Sequence, residues 1–157
     1  MKNPLAAFCR RRRLRRDRSM APTGLLPLSR IGSATVFVDS LGEEDTAPVC
    51  ALVRDYFERL GIPVGILCPQ KGELNLLGII RKRLREPRQE DLFISLADSP
   101  ECFAAQYEAA CSPAHFKVGR CPLPDGVFDL VVGTPEGGDA SQAAAFSAIM
   151  EYLDKIR

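Results

Sequence analysis

The feature that most constrains this chain is a strand–helix–strand unit between residues 34 and 69. "ATVFVD" (34–39) is a β-branched and aromatic run suited to a buried strand. Acids follow it, with Asp45 and Thr46 as cap candidates, which suits the positive end of a helix dipole. Val49, Leu52, Val53, Phe57 and Leu60 then share one helical face, and Gly61 supplies a C-terminal cap. "IPVGILCP" (62–69) is the second strand. Two strands joined through a helix pair in parallel with a right-handed crossover, so an α/β sheet is expected.

The rest of the chain extends that plan. Leu74, Leu77, Ile80 and Leu84 predict a helix over about 76–86, ended by Pro87, with Arg81, Lys82, Arg83 and Arg85 outward. "DLFISLAD" (91–98) is a third strand, and Ser99 and Pro100 start a helix that reaches about Cys111. "AHFKVG" (114–119) and "VFDLVVG" (127–133) are the fourth and fifth strands. A last helix runs from about Ser141 to Ile156, with Phe146, Ile149, Met150, Leu153 and Ile156 inward. The link "RCPLPDGV" is too short for a helical crossover, and "PDG" is turn chemistry. The fifth strand is therefore antiparallel or reached by an extended, helix-free crossing, and the turn residues favour antiparallel. The expectation is a three-layer Rossmann-like or flavodoxin-like α/β domain over about 31–157, mostly parallel, with about five strands.

Residues 1–30 form a basic arm, flexible or helical. Seven arginines (Arg10, Arg11, Arg12, Arg13, Arg15, Arg16 and Arg18) fall within nine positions. The arm carries nine Lys/Arg and one Asp, net +8, while residues 31–157 carry twelve against nineteen acids, net −7. A helix here is basic nearly all round and offers no useful apolar stripe to bury. Such a split suits a tail that meets a polyanion, or one that lies on its own acidic body.

The order of pieces is a basic arm, "RIGSATVFVDSLGEED", "GELNLLG", "DLFISLAD", "AHFKVG", "FDLVV" and a closing helix. It resembles an uncharacterised Bacteroidales family of small α/β proteins, a domain of unknown function, over nearly the whole chain. That resemblance implies a cytoplasmic bacterial setting and carries over no activity and no site residues. Residues 90–119 are also similar to the strand–helix–strand stretch in the N-terminal half of heptosyltransferase-type glycosyltransferases. Lys117 stands where that pattern has arginine, and no second nucleotide-binding half follows. This second likeness implies a Rossmann-like fold and not glycosyl transfer.

Composition excludes several classes. Six cysteines at 9, 50, 68, 102, 111 and 121 include no closely spaced pair, and His115 is the one histidine, so no structural zinc site is expected, and the leading reading assigns no metal and no cofactor. Reduced thiols and a cytoplasmic location are expected over a disulfide-bonded secreted domain. No run approaches the ~20 apolar residues of a membrane span, and the apolar residues after the arm are too few for a secretory signal. A transit peptide fits only a source with organelles.

Three uses of the arginines compete. Guanidinium forks match phosphate oxygens, so RNA or ribosomal phosphate is the first, bound without base stacking because Phe8 is the arm's one aromatic residue. An anionic membrane surface is the second, and a self-docked or passive tail is the third. The leading expectation is a non-enzymatic accessory protein whose arm contacts a polyanion. The rival is a small-ligand or nucleotide-phosphate site, enzymatic or not, at the C-terminal ends of the strands. There Asp39, Ser40, Asp98 and Ser99 end strands one and three, with Glu43, Glu44 and Asp45 adding charge, and paired carboxylates suit Mg²⁺. The same residues serve equally as turn and helix caps. "GTPEGGDAS" (133–141) lacks the spacing of a phosphate loop and is expected to be a connection. His115 is expected to be structural, and Lys117 and Arg120 surface charges.

Overall fold

The computed structural model describes residues 3–81 and 87–156. In chain order its elements are α1 (Pro4–Asp17), β1 (Ala34–Phe37), α2 (Ala47–Leu60), β2 (Val64–Leu67), β3 (Leu92–Ser95), α3 (Phe103–Cys111), β4 (Phe116–Gly119), β5 (Leu130–Val131) and α4 (Gln142–Asp154). Short 3-10 turns occupy Leu28–Arg30 and Lys71–Glu73. The strands form one sheet in the order β2-β1-β3-β4-β5, and every pairing is parallel. This is the Rossmann-like, flavodoxin-like α/β arrangement that the strand–helix–strand unit implies.

Alternate residues of each strand point to opposite faces, and both faces are covered. Val36, Val38, Leu92, Ile94, Leu96, Phe116 and Val118 point toward α2 and α4. Val49, Val53 and Phe57 come up from α2 at four-residue intervals, and Phe146, Ile149, Met150 and Leu153 from α4. The rings of Tyr56, Phe57 and Phe146 meet with centroids 5.8 to 6.3 Å apart. Each large apolar side chain closed off this way contributes about 1.5–3 kcal/mol. Gly61 ends α2 at φ 69°, the left-handed conformation that a C-cap glycine takes without steric cost.

Phe37 and Phe93 point to the other face, against α3. Its outer cover is α1, whose Leu14 is buried in that cluster. The arginine run nevertheless forms a helix that docks, because one leucine and the arginine stems suffice for a narrow contact. The chain after α1 stays tied down. Ser19 N–H donates to Ala110 O at 2.9 Å and Gly24 N–H to His115 O at 2.8 Å, and Leu26 and Leu28 reach the α2/α4 cluster.

Two expectations are corrected. The fifth strand is parallel to β4, not antiparallel: Val118 pairs with Leu130 and Gly119 with Val131. The helix-free crossing is the route taken. Strands of four residues span only about 13 Å, so ten extended residues return the chain without a helix. Leu123, Val127 and Phe128 of that crossing fill the place of a covering helix. Gly119 makes room for it, since a Cβ there would stand 2.2 Å from the Phe128 ring. The helix expected over 76–86 is also absent from its described part. Leu74 and Ile80 form an antiparallel bridge around a turn, with Asn75 Oδ1 accepting from the Leu77 and Ile79 amides and Gly78 at φ 85°. An Asn-to-Gly turn satisfies its own backbone locally, and it outcompetes the weak helical spacing. Residues 82–86, with Lys82, Arg83 and Arg85, lie outside the described residues.

Candidate functional site

Helix α1 begins where Asn3 Oδ1 accepts from Leu5 N–H at 3.0 Å, with proline in the first turn. Its inner side holds it to the body. Arg10 Nε donates to Leu77 O at 2.9 Å, and the Arg10 guanidinium lies 4.8 Å from the Phe103 ring centre. At the other end the Tyr107 hydroxyl donates to Asp17, which also takes Arg13 Nε at 3.1 Å and Arg16 Nε at 2.9 Å. The Arg16 hydrogen bond above all, and then the Tyr107 hydroxyl, pull the Asp17 carboxyl down to about 2 against its burial. Burial and the Asp17 bond push the Tyr107 phenol up.

Arg11, Arg12, Arg15, Arg16 and Arg18 are exposed on the outer side. Arg11, Arg12, Arg15 and Arg18 make no ion pair with described residues. Leu5 and Phe8 lie beside them, 66% and 61% exposed. Arg10 and Arg13 belong to the docked side. The seven arginines thus divide into the docked Arg10 and Arg13, Arg16 exposed but paired with Asp17, and the exposed row Arg11, Arg12, Arg15 and Arg18.

The sheet reverses its winding between β1 and β3, where open α/β sheets bind ligands. Asp39 and Asp98 flank this point with local partners. Asp39 Oδ1 accepts from Leu41 N–H at 3.0 Å, and Asp98 Oδ2 lies 3.7 Å from Arg120 Nη2. Ser40 donates to Pro69 O, and Ser99 Oγ accepts from Glu101 N–H. Because β5 is parallel, the 133–141 loop and the start of α4 come to this same edge. Gln142 then closes it. Its amide group exchanges hydrogen bonds with Asp39 N–H and O at 2.8 Å, and its backbone N–H and Nε2 both donate to Glu44. Glu44 thus fills the anion seat at the α4 N-terminus. Asp45 Oδ1 caps Ala47 N–H at the start of α2. Among the described residues, no group of three or more His, Cys, Asp or Glu is placed to hold a metal ion.

Lys117 and Arg120 are buried, not surface charges. An all-parallel sheet is covered on both faces, so Lys117 comes to lie under α3. Burial there lowers its pKa, opposed by Asp129. Arg120 spans the strand ends, donating to Leu96 O at 3.2 Å, Thr134 Oγ1 at 3.1 Å and Ala140 O at 3.0 Å. His115 is exposed, with Nδ1 3.1 Å from Pro22 O. Burial raises the Cys102 and Cys121 thiols.

Arg88, Glu90 and Glu108 form a buried ionic cluster that the sequence reading misses. Its members lie up to twenty residues apart on a loop and a helix, with no motif spacing. The one available signal is a charge at position 108 on the inner side of an otherwise alanine-rich helix.

No described helix is long and apolar enough to cross a membrane. No family model, curated protein or solved structure matches the chain.

Proposed function

We propose that this protein is a non-enzymatic accessory factor that contacts RNA, or a ribosomal surface, through the outer side of α1. The observation that carries the reading is the division of labour among the arginines. Arg10, Leu14 and the Asp17–Tyr107 contact fix the helix, so Arg11, Arg12, Arg15, Arg16 and Arg18 stand as a preorganised row. A fixed row of guanidinium forks binds phosphate without first losing the freedom of a loose tail. The acidic remainder of the chain turns such contact toward that one side.

The test is RNA binding across a salt series. Removing residues 1–30 would strip Leu14 from the core and Ser19 from Ala110, so substitution is the cleaner perturbation. Five phosphate contacts predict a slope of log K on log salt of about −3.5 on single-stranded RNA. A chain with Arg11, Arg12, Arg15 and Arg18 changed to Gln should keep its fold and drop to a slope of about −0.7. Binding by the parent chain that the four changes leave intact refutes the reading. Binding to anionic vesicles but not RNA transfers it to a membrane surface, which Leu5 and Phe8 beside the arginines would suit.

A second reading rests on the parallel β5, which brings the 133–141 loop, Arg120 and the α4 N-terminus to the edge that holds Asp39 and Asp98. There a phosphate-bearing small ligand would take the seat now held by Glu44. A Glu44→Gln chain should then bind inorganic phosphate more tightly than the parent in calorimetry. Equal or absent binding in both removes this reading.

A further inference from the structure

Two of the cysteines, distant in sequence, meet in the fold. Cys50 lies on α2 and Cys68 directly follows β2. Cys68 Sγ stands 3.7 Å from Thr46 Oγ1, and Thr46 is the N-cap of α2. The Cys50 amide donates to Thr46 O at 3.0 Å, so Cys50 comes one helical turn after Thr46. Side chains four apart share a helix face and lean toward its N-terminus. Cys50 therefore leans back over the group that Cys68 touches. Both side chains pack against the α2/α4 cluster, and the Cys50 thiol lies within hydrogen-bonding reach of Cys68.

The pair sits at the margin of the core, not in its closed centre. Cys50 and Cys68 are each half-buried, and residues 41–45, Ala47 and Pro48, which lead into α2, are exposed. Burial first, and then the neighbouring Cys68, push the Cys50 thiol up, and Arg54 opposes them. The thiolate is the reacting form of a cysteine, so a raised thiol is held in its unreactive, protonated form. The two sulfurs thus wait side by side until an oxidant arrives.

The remaining cysteines are engaged elsewhere. Cys111 bonds the Tyr107 side chain. Cys121 Sγ lies 4.0 Å from Ala97 O. Cys102 takes the Ala104 and Ala105 amides, and Cys121 is close enough to act on it by charge alone. Cys9 lies on α1. Cys102 and Cys121 are therefore the competing pair, and Cys50 and Cys68 the pair whose thiols face each other.

We propose that Cys50 and Cys68 form a redox site, which a small-molecule disulfide such as oxidised glutathione converts into a reversible disulfide tying the first turn of α2 to the end of β2. One cysteine thiolate attacks the small disulfide, forming a mixed disulfide and releasing one glutathione thiol. The other thiolate attacks the cysteine sulfur of that mixed bond and releases the second. The two cysteines together give up two electrons and two protons, and the small disulfide takes them up as two thiols. An excess of thiol runs the same steps backward. In a reducing compartment such a bond is transient and reports the redox state. Pro69, the neighbour of Cys68, accepts from Ser40, so the bond fixes the start of α2 to the loop that holds the end of β1.

The experiment equilibrates the folded full chain in glutathione buffers of graded oxidised-to-reduced ratio, then maps its bonds by trypsin digestion and mass spectrometry without reductant. Trypsin leaves Cys50 in the peptide Ile31–Arg54 and Cys68 in Leu60–Lys71, and neither holds a second cysteine. These two peptides should appear joined, lighter than their sum by two hydrogen atoms, and dithiothreitol should separate them. The amide NMR spectrum of the oxidised chain should stay native apart from residues near Cys50 and Cys68. Because the fold holds the thiols together, the native chain should keep the bond at a ratio at least about tenfold more reducing than the chain unfolded in urea requires. Cys50→Ser and Cys68→Ser should each abolish the joined peptides. The proposal is overturned if the native chain never yields them, or yields them only with loss of the native spectrum. A bond held no better by the native chain than by the unfolded one overturns it, as does a linkage that maps instead to Cys102 and Cys121 or joins two chains.

Discussion

The two faces of the sheet are built differently. The α2/α4 face is closed by two amphipathic helices whose apolar residues recur every three or four positions. The α3 face is closed by unlike pieces: an alanine-rich helix, an arginine helix laid over it, an extended crossing and a tight turn. On the first face nearly every contact is apolar. On the second, a buried lysine and a buried ionic cluster occur together. Regular helices close a face by packing alone. Irregular pieces bring backbone and charged groups with them, and those groups must find partners. The exposed arginine row lies over that second face.

The largest expected effect lies on the regular face. Phe146→Ala removes a fully buried ring that meets Tyr56 and Phe57. It should cost about 3–5 kcal/mol in denaturant unfolding, with the whole domain melting as one transition. A loss near that of an exposed site would mean that the two faces are not held as differently as their construction suggests.

On the irregular face, Leu14→Ala should cost about 2 kcal/mol. Its loss should be local. Hydrogen exchange should speed at Ser19, whose amide donates to Ala110 O, before it speeds at β1 or β3. Uniform loss of protection would show that α1 is part of one cooperative core.

The crossing to β5 is tested by Gly119→Ala, whose methyl would collide with the Phe128 ring. A cost of about 1–3 kcal/mol is expected from the forced rearrangement. Combining it with Phe128→Ala should cost less than the sum of the two single changes, because the smaller side chain gives the methyl room.

The smallest effect is with pH. The Asp17 carboxyl sits at about 2 in the fold, below its ordinary 3.8. A depressed carboxyl stabilises the folded state above its ordinary value and loses that contribution as pH falls through the folded one. Protection at Ser19 should therefore decline between pH 3.8 and about 2, and Asp17→Asn should remove that decline. Protection that does not change over this range would place the hold on α1 in Leu14 and Arg10 alone.

Legibility in the sequence follows the same division. Val49, Val53 and Phe57 announce α2, and Phe146, Ile149, Met150 and Leu153 announce α4, because packing on a sheet imposes the helical period directly. The strands are legible as β-branched and aromatic runs. The turn at Asn75–Gly78 was overwritten by a leucine spacing that mimics a helix. Among the candidate sites, the arginine run was visible as a run, but not its split into docked and exposed groups. That split depends on Phe103, Leu77 and Tyr107, which are distant in sequence. Lys117 and Arg120 looked like surface charges because burial on both faces is a property of the whole sheet.

By itself, the sequence determined an α/β sheet with its strands in this order along the chain, covered by periodic helices and preceded by a basic segment. Those are local properties, set by side-chain period, caps and turn chemistry. Tertiary structure alone decided the direction of β5, the docking of α1, and the meeting of Gln142 with Asp39 and Glu44. Each of these depends on which groups remain unpaired once the sheet has formed, and that balance is struck between residues far apart in the chain.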